Sequence, residues 1–127
     1  SGAQGSGRDL SKTVVMNEAD MIDPEVLQRL SATLTQRKSA PPESSYVSSL
    51  YAKGTDAICK KVAEEAAETI MAAKDGDLRH IVYEVTDLWF HSLILLSQFG
   101  LSADDVLTEL RRREGISGID EKKARKS

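Results

Sequence analysis

Residues 78–99 read LRHIVYEVTDLWFHSLILLSQF, and Gly100 follows. The run contains no proline or glycine and stops at a residue that suits a helix C-terminus, so its spacing predicts one long helix. Val82, Val85, Leu88, Trp89, Phe90, Leu93, Ile94, Leu95, Leu96 and Phe99 occupy nearly its whole circumference, which predicts a helix buried on most sides. Its polar groups do not scatter. His80, Glu84, Asp87, His91 and Gln98 project within about 60° of one another at 100° per residue, and no lysine or arginine on the helix is placed to neutralise that stripe.

The preceding segment, 58–74, is also helical in pattern and ends at Asp75-Gly76. On a helical wheel Ile58, Thr69, Val62, Ala73, Ala66 and Ile70 share a sector of about 120° that should face the core. Glu65 falls at the edge of that sector, with Lys61 and Glu68 beside it and Glu64 one step further out. Thr55 or Asp56 is placed to cap this helix. Upstream, Asp23-Pro24-Glu25 predicts a capped helix start and a helix over about 24–37. Pro41-Pro42 and three serines mark a loop over 39–45, followed by a short helix from Tyr46 to near Gly54. Ser102 and Asp105 have capping-box spacing for a last helix reaching Gly115. No segment alternates with period two between hairpin turns, and no repeat of 20–50 residues is present. The reading is an all-α fold, a small helical bundle of four to five helices.

Two acidic stripes on consecutive helices would bring Glu65, Glu68, Glu84 and Asp87 together. Like charges in a low-dielectric site force carboxyl pKa values upward, and a divalent cation reverses this by favouring the ionised form. Oxygen ligands of this kind suit Mg²⁺ or Mn²⁺, which keep several waters and accept substrate phosphate oxygens. The acids of 60–68 taken alone read equally as a solvated helix face. Glu84 and Asp87, set in an apolar helix, favour a site.

Length and composition bound the rest. The 127 residues suit one domain, 23–115, between an expected disordered arm at 1–22 and a charged tail at 116–127. The Gly/Ser-rich start ahead of Met16 reads either as added sequence or as a native flexible arm, and it lacks the apolar core of a secretory signal. A formal charge of -3 and a pI near 5.4 leave no global positive field for nucleic acid or an anionic membrane. No apolar run approaches the ~20 residues of a membrane span. Cys59 is the single cysteine, which excludes an intrachain disulfide and fits a cytoplasmic protein.

The pattern Glu64-Glu65-x-x-Glu68, then Glu84-x-x-Asp87, resembles the EExxE…ExxD signature of the all-α, MazG-like nucleoside triphosphate pyrophosphohydrolases. The wider context of SYVSSLYAKG at 45–54, KKVAEEAAE at 60–68 and YEVTDLWFHSLILL at 83–96 is most similar to the phosphoribosyl-ATP pyrophosphatase family, over about residues 26–115. That resemblance implies a homodimer of helical bundles, Mg²⁺ held by the paired acids, and hydrolysis of phosphoribosyl-ATP, a small-molecule nucleotide substrate, to phosphoribosyl-AMP and pyrophosphate. It also implies a monofunctional chain, since the cyclohydrolase domain fused to some relatives needs several cysteines.

Within it, Glu65, Glu68, Glu84 and Asp87 are the expected metal ligands, and Glu64 orients or deprotonates the attacking water. Lys61 either holds a phosphate or pairs with Glu64 and Glu65 on its own helix. Lys53 and Arg112 are further candidates for phosphate, Arg112 alternatively serving the helix dipole. His91 either orients Asp87 from behind the metal or is a hydrogen-bonded core histidine. Trp89, Phe90 and Cys59 are read as core or dimer packing. Two rivals stay open: a house-cleaning enzyme acting on NTPs or dNTPs with the same acids, and a non-enzymatic helical dimerisation module. A di-iron carboxylate bundle is excluded, because neither histidine has the Glu-x-x-His spacing it needs.

Overall fold

The computed structural model describes residues 22–116. The expected N-terminal arm and C-terminal tail lie, but for Ile22 and Ile116, outside the described residues. Five α-helices follow in order: α1 (Val26–Arg37), α2 (Tyr46–Lys53), α3 (Thr55–Asp75), α4 (Leu78–Gln98) and α5 (Ala103–Arg113), with a 3₁₀ turn at Pro42–Ser44 before α2. No strand occurs among the described residues, so the chain is a small all-α bundle.

The helix ends follow local chemistry. Gly76 stops α3 in the left-handed conformation (φ 76°), and Asp77 then caps α4, its side chain accepting from the His80 N–H at 3.2 Å. That two-residue connection folds α3 and α4 into a hairpin. Ser102 and Asp105 close a reciprocal capping box on α5. Two expected caps differ. Thr55 is the first residue of α3, Gly54 stands at the cap position, and the Thr55 hydroxyl accepts instead from Gln98 Nε2 at 3.0 Å. At the chain start, Asp23 accepts from the Glu25 N–H within a turn and pairs with Arg29, so α1 begins at Val26 rather than at residue 24.

Leu34, Val47, Leu50, Ile58, Leu93, Ile94 and Ala103 form the core, with Leu27, Leu30, Tyr51, Phe90, Leu95 and Leu96 packed against it. Burial is therefore concentrated on the second half of α4. Its first half is not enclosed within one chain, for Leu78, Val82 and Tyr83 are exposed, and Trp89 just beyond the midpoint is exposed too. The buried line of α3 is Ile58, Glu65 and Ala72, whereas Ile70 and Ala73 face outward. Relative to the apolar sector, α3 is thus rotated so that Glu65 sits at the centre of its inward face. The physical reason is that α3 lies mainly against one neighbour, α4, and a single contact line selects one row of side chains. Polar ties close the frame: Lys38 Nζ donates to the Ser97 carbonyl at 2.7 Å, and Ser48 Oγ to the Arg37 carbonyl at 3.0 Å.

Two outcomes are expected from these contacts. Ile94→Ala should cost about 2–5 kcal/mol through lost burial and a residual cavity, measured by urea unfolding. Glu109 accepts from Arg112 and Arg113, bonds that hold its carboxyl down at about 2. A depressed acid contributes stability that is present above its unfolded pKa and lost as pH falls through the folded one. The difference in melting temperature between the wild type and Glu109→Gln should therefore shrink as pH drops from about 4.5 toward 2.

Candidate metal centre

The α3–α4 hairpin sets Glu65 opposite Glu84 and Asp87. One carboxylate oxygen from each of the three lies within 4.8 Å of the others. Glu65 and Glu84 are both only 6% exposed, and in each the Oε1 atom is buried without a hydrogen-bond partner. A buried, unpartnered carboxylate oxygen costs several times a typical hydrogen bond, so two of them facing one spot need a positive group there. Glu68, one turn beyond Glu65 and exposed, remains at the rim. The charge of Glu65, then the closeness and charge of Glu84, push the Glu68 carboxyl above its ordinary range. An acid raised in the folded state opposes folding at neutral pH, and that opposition ends when it is protonated or its neighbours are neutralised.

Two protein groups partly answer this charge. Lys61 Nζ stands 3.4 Å from Glu64 and 3.7 Å from Glu65. Desolvation works against its ammonium, but the hydrogen bond to Glu64 and the charges of Tyr46, Glu64 and Glu65 outweigh it and raise the Lys61 pKa. His80 Nε2 lies 2.9 Å from Glu84 Oε2. Tyr46 stands nearby with its hydroxyl at 2.8 Å from His91 Nε2; burial, aided by the charges of Glu65, Glu64 and Asp87 and opposed by that of Lys61, raises its pKa.

The comparison with known sequences now bears on this arrangement. A family model described as phosphoribosyl-ATP pyrophosphohydrolase matches residues 27–114. The chain belongs to the phosphoribosyl-ATP pyrophosphohydrolase family. Among its relatives, the phosphoribosyl-ATP pyrophosphatase of Azoarcus sp. (strain BH72) is 79% identical over 107 residues, 84% of this chain and 100% of the relative. That of Aromatoleum aromaticum is also 79% identical, over 83% of this chain and 97% of the relative. The Chromobacterium violaceum protein of the same name is 61% identical over 81% and 95%.

In this phosphoribosyl-ATP pyrophosphohydrolase chain the other candidate residues are distributed as follows. Glu64 sits half-exposed beside Lys61, next to the carboxylate cluster. Lys53 is exposed at the last turn of α2. Arg112 forks onto Glu109 of its own helix through Nε and Nη2, at the far end of α5 where three arginines meet the helix C-terminus. His91 is buried, and its Nδ1 bonds the Asp87 backbone carbonyl at 2.9 Å rather than the carboxylate. Since a carbonyl only accepts, Nδ1 carries the proton, and in the neutral ring Nε2 accepts from Tyr46. Phe90 joins the core, whereas Trp89 and Cys59 lie on the surface of the chain.

Sequence reasoning placed His80 in the polar stripe without giving it a partner, although its i, i+4 spacing to Glu84 was a usable signal. It assigned Tyr46 no bond to His91. Those residues are 45 apart in the chain, and no local pattern links them.

The donor set fits a hard divalent cation. It is all oxygen, two of its members are buried with free lone pairs, and metal–oxygen bonds of about 2.0–2.6 Å across one ion bridge spans of this size. Glu65→Gln and Glu84→Gln should each melt at or above the wild-type temperature without divalent ions, because a like charge is removed. With Mg²⁺ at 100 times its Kd the wild type should gain about 2.7 kcal/mol and the variants little, read by thermal unfolding with and without chelator.

Proposed function

We propose that this chain hydrolyses phosphoribosyl-ATP to phosphoribosyl-AMP and pyrophosphate, the second step of histidine biosynthesis, with Mg²⁺ as cofactor and Mn²⁺ as a substitute. The observation that carries the metal reading is that Glu65 and Glu84, each with a buried, unpartnered oxygen, cluster with Asp87. The substrate follows from family membership and from the name its relatives bear.

Glu65, Glu84 and Asp87 would hold the ion, and Glu68 would join them from the rim. A bound ion supplies positive charge beside the phosphate oxygens, offsetting the charge that develops on the departing pyrophosphate. In the reaction a water oxygen bonds the α phosphorus while the bond from that phosphorus to the α–β bridging oxygen breaks. Glu64 takes the water proton from its half-exposed position at the edge of the cluster. Lys61 is shared between Glu64 and Glu65; with the Glu65 charge committed elsewhere, its ammonium turns to a substrate phosphate as a point charge. Lys53 and Arg112 are further phosphate contacts, Arg112 at the expense of its fork with Glu109. His91 acts on Asp87 through the main chain, holding the α4 backbone that carries that carboxylate.

The working unit is residues 23–115, flanked by an arm and a charged tail. Leu78, Val82 and Trp89 expose a continuous apolar line on the face of α4 opposite the acids. A second copy covering that line makes the functional form a homodimer and completes the bundle. No helix among the described residues is long and apolar enough to cross a membrane, and we place the enzyme in the cytoplasm.

Purified protein with Mg²⁺ should release pyrophosphate from phosphoribosyl-ATP and hardly at all from a panel of dNTPs. Glu65→Gln should lower kcat at least about a hundredfold if charge neutralisation there carries several kcal/mol of the barrier. Turnover confined to dNTPs would remove the substrate assignment, and turnover untouched by chelator would remove the metal.

A further inference from the structure

Glu84 has its two oxygens in different environments, and a direct hydrogen bond from a side-chain ring sets them apart. Oε2 is bonded by His80 at 2.9 Å, while Oε1 is buried and bare. The histidine is itself fixed at the first turn of α4, where its backbone N–H is held by the Asp77 cap at 3.2 Å, immediately after the left-handed turn at Gly76. A carboxylate only accepts, so His80 Nε2 carries a proton toward Oε2 in either charge state of the ring. The side chain of His80 is 47% exposed against 8% for Glu84, so the imidazole lies on the more exposed side of the carboxylate and leaves Oε1 buried in the residue cluster that Glu84 forms with Glu65 and Asp87.

From this asymmetry we infer that His80 is a positioning residue: it holds Glu84 as a one-oxygen ligand and so biases the centre toward Mg²⁺ over Ca²⁺. Mg²⁺ demands near-octahedral geometry and single oxygens from its carboxylates. Ca²⁺ takes six to eight ligands in flexible geometry and readily accepts both oxygens of one carboxylate. An oxygen tied to an N–H donor is withdrawn from the second mode. With His80 removed, Glu84 is free to rotate and offer both oxygens, which suits the larger ion. The inference rests on the metal reading of the cluster given above.

The test is the rise in melting temperature of the full chain titrated with MgCl₂ and, separately, with CaCl₂, for the wild type, His80→Leu, His80→Ala and His80→Gln. Because His80 is half-exposed, the metal-free melting temperatures should stay close together, and His80→Ala serves should the leucine fold poorly. Loss of the donor should raise the half-saturating Mg²⁺ concentration about tenfold or more, the usual size of an outer-shell effect, with a markedly smaller change for Ca²⁺. His80→Gln, whose amide N–H reaches the same oxygen, should return both values close to wild type. A simple helix-propensity or packing role would shift metal-free stability and leave the ratio of the two ions unchanged. Unchanged Mg²⁺ binding in His80→Leu and His80→Ala, or equal weakening of both ions, overturns the inference while the metal reading stands. A wild type that responds to neither ion overturns both.

Discussion

The structure turns on the repulsion among three carboxylates that the α3–α4 hairpin forces to within 4.8 Å of one another. Packing Ile58 and Ala72 against α4 unavoidably carries Glu65 inward, because the three lie seven residues apart on one helical row. Glu84 is carried inward in the same way on the row of α4 that also buries His91, seven residues on. The apolar core thus supplies the free energy that holds the acids together, and the acids oppose it until their charge is met. That opposition is why the cluster suits a cation better than a merely solvated polar patch would. A solvated acidic face would spread its side chains into water at almost no cost.

Several surrounding features are intelligible as answers to the same charge. Lys61 bridges Glu64 and Glu65 from the preceding turn of α3 and His80 covers one oxygen of Glu84, while Tyr46 brings a hydroxyl from α2 to the His91 ring, which holds the Asp87 main chain. These groups come from three helices, so the site also ties α2 to the hairpin. The answer is incomplete by design of the chain: two carboxylate oxygens stay bare although a lysine stands within 4 Å of Glu65. The opposite face of α4 shows the complementary feature, an apolar line that one chain leaves uncovered.

Much of this was legible in the residues. Gly76, Gly100 and the Ser102–Asp105 box marked helix ends by backbone and capping chemistry that acts over three or four residues, and the boundaries of α3, α4 and α5 follow them. The gathering of Glu84, Asp87, His80 and His91 on one stripe follows from helical periodicity alone. Where the reading went astray, a longer-range contact had won. Thr55 gave its hydroxyl to Gln98 across 43 residues instead of capping its own helix. His91 is buried and hydrogen-bonded, one of the two readings its position allowed, with the Asp87 carbonyl and Tyr46 as partners.

What the sequence determined by itself was the helical class, the helix ends and the angular grouping of acids within each helix, since all of these depend on neighbours along the chain and on 3.6 residues per turn. What only the tertiary structure decided was the rotation of α3 about its axis, which moved Glu65 from the edge of the inward face to its centre and left Glu68 at the rim. It also decided which oxygen of Glu84 is taken and which is free. Periodicity sets directions within a helix, but the angle between two helices comes from how their side chains interlock, and that is a property of the pair.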